Sequence, residues 1–326
     1  MAAHERTFAV DAADRRPDAP RWRVVAAVLL AACACKAHAQ VLPRDDRSAV
    51  LTASPAPQRI VSLLPSLTES VCALGACARL VGTDRASNWP ASVRGLPKLG
   101  GLDDPQIERI VALRPDLVLL SSASRLADRL EALGVKVQVL EPRNRAEVKR
   151  SLVVLAQWLD APAAAERVWS RIERETRAAA ERVPAALRGQ PVYFEVDASL
   201  YAAGPASFIG ETLARLGVAS ALPDALGLFP KLSPEYVVRL QPGIVMAAQR
   251  DLADMTKRPG WSALRALEQG RTCGFTSEHF ELLVRPGPRL GEAAGLIADC
   301  LTAIASRDAA RIALGAANAH ATDRPR

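Results

Sequence analysis

From Arg59 onward, short apolar runs alternate with stretches of helical periodicity. Arg59-Ile60-Val61-Ser62-Leu63-Leu64 predicts a buried strand stopped at Pro65. Ser66 and Glu69 have the spacing of a capping box, which predicts a helix over 67–74 closed by Gly75. Further strands are expected at 79–82, 116–120 and 135–140, with helices at 105–113 and 124–133. This alternation predicts a lobe built on a parallel sheet with crossover helices. From Arg145 the pattern becomes helical, with a break at Asp160-Ala161-Pro162, where Asp160 is expected to cap a second helix running to Val183. At 1.5 Å per residue that helix spans about 30 Å, enough to act as a spacer between lobes.

The second half repeats the first. Glu211-Thr212-Leu213-Ala214-Arg215-Leu216-Gly217 aligns with Glu69-Ser70-Val71-Cys72-Ala73-Leu74-Gly75, and Phe229-Pro230-Lys231-Leu232 echoes Leu96-Pro97-Lys98-Leu99. Each echo precedes a helix that carries a Glu seven residues before a Pro: Glu108 before Pro115, and Glu235 before Pro242. The fold class is therefore α/β: two related lobes with parallel-type sheets, joined by one long backbone helix. The expected layout is an export signal over 1–39, a linker over 40–58, an N-terminal lobe over 59–143 and a helical segment over 144–184. A C-terminal lobe over 185–306 and a disordered tail over 307–326 complete it.

Composition narrows the function. With 326 residues, 49% of them hydrophobic and 24% charged, the chain can bury two cores, which excludes disorder of the whole. The net charge of +7 is scattered and interleaved with Asp and Glu, so it does not point to nucleic acid. Arg21 and Arg23 followed by an apolar run over 24–32 and small residues read as an export signal, far short of the about 20 residues that span a bilayer. Two processing readings compete: cleavage after Ala37-His38-Ala39, or a lipobox Leu30-Ala31-Ala32-Cys33 with Cys33 acylated. Either places the mature chain in the periplasm, soluble or lipid-anchored.

Export makes Cys72, Cys77, Cys273 and Cys300 candidates for bridges. Cys72 and Cys77, five apart around Gly75, are the disulfide candidate; Cys273 and Cys300 stay open between a bridge and free buried thiols. Their spacings match no zinc pattern, and no metal site is called. Of the four His, His4, His38 and His320 lie in the leader and tail, which leaves His279. Without a Gly-rich phosphate loop or a Ser elbow beside it, an enzyme is not indicated.

The segment running from Arg59 through Pro65-Ser66-Leu67-Thr68-Glu69, together with Leu80-Val81-Gly82, Asn88-Trp89-Pro90, residues 107–118 and Arg285-Pro286-Gly287-Pro288-Arg289, resembles the helical-backbone solute-binding proteins of ABC importers. The resemblance covers about 59–304, and the cobalamin-binding members are the most similar. It implies a small-molecule ligand held between the lobes, a permease dimer with its ATPase subunits as partner, no nucleic acid and a monomeric chain. It further implies docking through Glu108 and Glu235, whose carboxylates sit favourably in first helical turns. The implied cargo is a corrinoid, with haem or a ferric siderophore as alternatives, and no catalytic cofactor.

For the ligand, loops at the strand ends offer Asn88, Trp89, Leu102, Tyr201, Phe229, Glu278, His279 and Phe280. In an aromatic-poor chain, Trp89, Tyr201, Phe229 and Phe280 suit packing against a large planar ligand. The chain departs from the cobalamin-binding members at Ala86 and near Leu102, where they carry a tyrosine and a tryptophan, and at His279, where they carry a tryptophan. A cleft His can ligate a macrocycle's metal, donate a hydrogen bond or pack.

Overall fold

The computed structural model describes residues 46–47 and 55–322, with side chains followed to residue 314. The export signal, both processing readings, Cys33 and most of the linker lie outside the described residues.

The N-terminal lobe holds β1 (Ile60–Ser62), α1 (Pro65–Ala73), β2 (Leu80–Thr83), α2 (Ile107–Ala112), β3 (Leu117–Leu120), α3 (Ala127–Ala132) and β4 (Val137–Val139). Its four strands are all parallel, in the order β2-β1-β3-β4. All four residues of β3 are buried, as a parallel strand covered on both faces requires. Two helices follow, α4 (Arg145–Trp158) and α5 (Pro162–Arg182). The buried positions of α5, Ala164, Ala165, Val168, Ile172, Thr176 and Ala179, form one stripe at helical spacing.

The C-terminal lobe repeats the arrangement. It runs through β5 (Pro191–Asp197), β6 (Tyr201–Ala202), α6 (Phe208–Arg215), β7 (Ala219–Ser220), α7 (Pro234–Leu240) and β8 (Ile244–Ala248). Then come α8 (Gln249–Asp254), α9 (Arg265–Glu268), β9 (Thr272–Phe275) and α10 (Ser277–Leu283). β7, β5, β8 and β9 are parallel and keep the order of the first lobe, while β6 adds an antiparallel hairpin strand to β5. The sequence echoes have structural counterparts. Pro97 accepts a hydrogen bond from the Thr83 N–H, and Pro230 accepts one from that of Ala202, so each Pro-Lys pair forms a short bridge beside its sheet. Gly75 and Gly217 end equivalent helices at φ +91° and +83°, the left-handed conformation that favours glycine.

Three local expectations need correction. Ser66 and Glu69 do not form a capping box: Leu64 is the cap residue and Pro65 presets the first turn, leaving the Ser66 hydroxyl buried without a partner and Glu69 free to turn elsewhere. Asp160 does not cap α5; it sits at φ +56° and Ala161 takes the cap position without a side-chain bond. Of the segment expected as a disordered tail, residues 307–322 continue α11 (Leu290–Thr322), whose first part packs along α5; the Ala-rich composition suits a helix, and Arg271 pairs with Asp308. Among the described residues no helix is long and apolar enough to cross a membrane.

Cys72 is joined to Cys77 at the end of α1, and Cys273 of β9 to Cys300 of α11. The second pair is therefore a bridge, and not two free thiols. It closes a loop with a sequence separation of 27, against 5 for the first, so it removes more chain entropy from the unfolded state. Replacing Cys273 and Cys300 by Ser is expected to cost about 3.5 kcal/mol, and replacing Cys72 and Cys77 about 2 kcal/mol, in denaturant unfolding of the oxidised chain. Peptide mapping without reductant should recover both linked pairs; cross-linked peptides of any other pairing would contradict the arrangement.

Candidate functional site

The two sheets present the C-terminal ends of their strands to a shared cleft, the position at which open parallel sheets take ligands. On the first lobe the β2 end leads into the loop carrying Asn88 and Trp89. The buried Asp84 carboxylate shapes this loop, accepting the N–H groups of Ala86 and Ser87 at 2.8 and 3.0 Å and bonding the Ser87 hydroxyl. Ser87 continues into a buried hydroxyl chain through Thr68 to Ser62, with both links at 2.9 Å. Lys98 donates to the Ser87 and Val93 carbonyls and to Thr83. Burial pushes the Asp84 carboxyl above its usual range although Ser87, Ala86 and Lys98 favour its charged form. The loop is thus set by buried polar bonds, with Asn88 exposed and Trp89 half-buried at its tip.

On the second lobe the β9 end leads through Thr276, whose hydroxyl caps α10, into Glu278, Glu281 and Leu282 and then the segment Arg285-Pro286-Gly287-Pro288-Arg289. Arg285 reaches across. Its Nη1 donates to Glu69 Oε1 and Asn88 Oδ1, each at 2.9 Å. Its Nη2 donates to the Ala86 carbonyl at 3.0 Å and to Glu281 Oε2 at 2.7 Å. Glu281 Oε2 also accepts from Asn88 Nδ2 at 2.8 Å. The Arg289 guanidinium lies 4.5 Å from the centre of the Trp89 ring, within cation–π range. Burial raises the Glu69 carboxyl above its usual range, opposed by Arg285 and Arg289.

The resulting cavity measures about 230 Å³ and is lined by Asn88, Trp89, Arg94, Glu278, Glu281, Leu282, Arg285 and Arg289. Of the residues expected in the cleft, Asn88, Trp89 and Glu278 meet there. Phe280 instead stacks on Phe194, with centroids 6.1 Å apart, and Phe229 packs on Phe208 at 5.8 Å. Tyr201 stands on the edge strand β6 beneath Lys231, and Leu102 lines a separate groove against Arg125 and Arg129. His279 is exposed and its backbone N–H completes the Thr276 cap; its side chain is not part of the cavity wall. Arg94, Glu281 and Leu282 enter unannounced, and Arg285 and Arg289, legible as part of the family-like segment, enter without having been expected in the cleft, although an i,i+4 Glu281–Arg285 pair leading into a Pro-Gly-Pro turn is a legible hint of a fixed guanidinium.

Glu108 and Glu235 are both exposed, in the first turns of the equivalent helices α2 and α7. The Glu235 backbone N–H and the Ser233 hydroxyl hold the Glu235 carboxyl below its usual range, which keeps it ionised.

Known proteins bear on this geometry. A Bacillus subtilis uncharacterised ABC transporter substrate-binding lipoprotein, YvrC, is 28% identical over 85% of this chain and 94% of its own length. The vitamin B12-binding protein of Yersinia pestis is 26% identical over 59% of this chain and 70% of its own length. The periplasmic heme-binding protein RhuT of Roseiflexus sp. RS-1 superposes with a TM-score of 0.66 at 26% identity, covering 76% of this chain and 99% of that one. The profile of the periplasmic binding protein family matches residues 60–278, about two thirds of the sequence, and with two lobes of one topology facing a shared cleft the chain belongs to that family.

Proposed function

We propose that this chain is the extracytoplasmic capture subunit of an ABC importer and that its cargo is a metal-bearing tetrapyrrole, in the first reading a corrinoid. The observation that carries the proposal is the interlobe cavity, lined by apolar Trp89 and Leu282 and by six polar or charged residues from both lobes. Placed polar groups of this kind in a concave site fix the orientation of a small ligand. The naming of a 26% identical relative for vitamin B12 supports the corrinoid. A second reading, haem, is supported by Arg94, Arg285 and Arg289, because haem carries carboxylates whereas a corrin ring carries mostly neutral amides. At about 230 Å³ the cavity is below the roughly 300–1,000 Å³ of typical ligand sites, so a macrocycle enters only when the lobes part. Delivery then requires docking on a permease, a role we assign to the paired carboxylates of Glu108 and Glu235. The leader and the lipoprotein relative favour a mature chain held outside the cytoplasmic membrane, in solution or by a lipid on Cys33.

Mixing the purified chain with cyanocobalamin, haemin and ferric siderophores, then desalting and recording absorbance, tests the cargo. A retained corrinoid spectrum supports the first reading, a retained haem spectrum the second, and retention of neither tetrapyrrole contradicts both.

With the retained cargo, Trp89→Ala should weaken binding by about 1–3 kcal/mol through lost aromatic burial. His279→Ala should leave the metal absorption band in place, because the imidazole is outside the cavity wall; loss of the band would instead make it an axial ligand. In reconstituted uptake, Glu108→Ala with Glu235→Ala should abolish stimulation of the transporter at unchanged affinity, and Arg at both positions should be worse through repulsion. Full uptake by the double Ala variant would remove the docking assignment.

A further inference from the structure

Two carboxylates share Arg285, and they differ in kind. Glu69 is sealed, its side chain only 2% exposed, and it binds Nη1 from behind the loop; Glu281 is 46% exposed and binds Nη2 from the cavity side. One oxygen of Glu281 accepts from both Arg285 Nη2 and Asn88 Nδ2, so two donors from opposite lobes converge on a single anionic oxygen at the cavity wall. Arg289 is held toward the same space by Trp89, with Arg94 tethered beside it through the Asn88 carbonyl at 2.9 Å. Three guanidinium groups thus line the cavity together with the carboxylates of Glu278 and Glu281, while Arg289 Nε also donates to Glu292 at 2.9 Å.

We infer that Glu281 is a built-in competitor, occupying a subsite whose true occupant is an anionic group, a carboxylate or a phosphate, on the edge of the cargo. The inference deepens the capture reading above and rests on it. Exchange at this point is easy on one side only. The Glu281 side chain can swing into solvent, where a half-exposed ion pair is worth little, whereas Glu69 cannot leave without stranding a buried charge. An incoming anion therefore takes the Nη2 and Nδ2 donors while Glu69 keeps Nη1 and fixes the guanidinium plane. Because the donors come from both lobes, the anion would draw the lobes together around the cargo, and Glu281 would hold the subsite when no cargo does. Competition also imposes selectivity: a neutral edge has nothing to offer in exchange for Glu281, so within the capture reading this subsite favours the carboxylate-bearing haem over the amide edge of a corrin ring.

The test uses small anions, so that it stands whether or not a tetrapyrrole binds. Inorganic pyrophosphate and glutarate are titrated calorimetrically, at constant ionic strength, into the parent chain, Glu281→Gln, Glu278→Gln and the double variant Glu281→Gln/Arg285→Gln. The expected result is that Glu281→Gln binds at least one of the two anions tenfold or more tightly than the parent, and that the double variant loses the gain. Glu278→Gln, which removes an equal charge from the same rim without releasing Arg285, should gain less than threefold. The tighter of the two anions identifies phosphate or carboxylate as the cargo's group. A Glu281→Gln variant no tighter than the parent, a gain matched by Glu278→Gln, or a gain that survives loss of Arg285 would overturn the inference. Failure of every tetrapyrrole to bind while the anion result holds would sink the cargo reading alone.

Discussion

A carboxylate buried to 1% exposure inside the first lobe is tolerable only if a cation comes to it, and the cation comes from the far end of the chain: Arg285 meets Glu69 across 216 positions of sequence. Taking both groups out of water costs several kcal/mol per ion, recovered only through close geometry and further hydrogen bonds. Arg285 supplies these by also binding Asn88, the Ala86 carbonyl and Glu281. Removing Arg285 would leave Glu69 buried with only Arg289, at 4.0 Å, to face it, a loss of up to about 3–5 kcal/mol. Such a pair contributes less net stability than its directness suggests. What it does is specify how the segment between α10 and α11 lies against α1 and where the Asn88–Trp89 loop stands.

The equivalent residue of the second lobe has a related task. Glu211 aligns with Glu69 in the repeat, and its carboxylate accepts the Arg145 backbone N–H at 2.6 Å where the chain leaves the first lobe for α4. The Arg145 guanidinium, itself buried, pairs with Glu173 of α5 at 2.8 Å and lies 5.3 Å from the Trp169 ring centre. Each lobe's first helix therefore gives its glutamate to a contact with a distant part of the chain, Glu211 to Arg145 and Glu69 to Arg285, and the cleft lies beside the second.

The α/β architecture was legible because its signals are local. Four-residue apolar runs such as Leu117-Val118-Leu119-Leu120 must be covered on both faces, and the Leu-Pro-Lys-Leu and Phe-Pro-Lys-Leu echoes each place a lysine in a bridge beside the sheet, parallel to Thr83 in the first lobe and antiparallel to Tyr201 in the second. What stayed hidden was decided over long separations. Ser66 and Glu69 satisfy the spacing of a capping box, yet Pro65 takes the first turn and the real partner of Glu69 is Arg285. Loop position placed Phe229 and Phe280 in the cleft, but Phe208 and Phe194 claim their rings for the core. The cleft's chemistry came out more cationic and less aromatic than a count of loop aromatics implies, because an arginine shows its target only once the fold is closed.

The Arg285 node thus holds the lobes in register around the cleft. Pulsed electron-electron resonance between nitroxide labels replacing the exposed Leu133 of the first lobe and Arg250 of the second measures this directly. A narrow distance distribution is expected in the parent chain and a broader, longer one after Arg285→Gln. Superimposable distributions would contradict it.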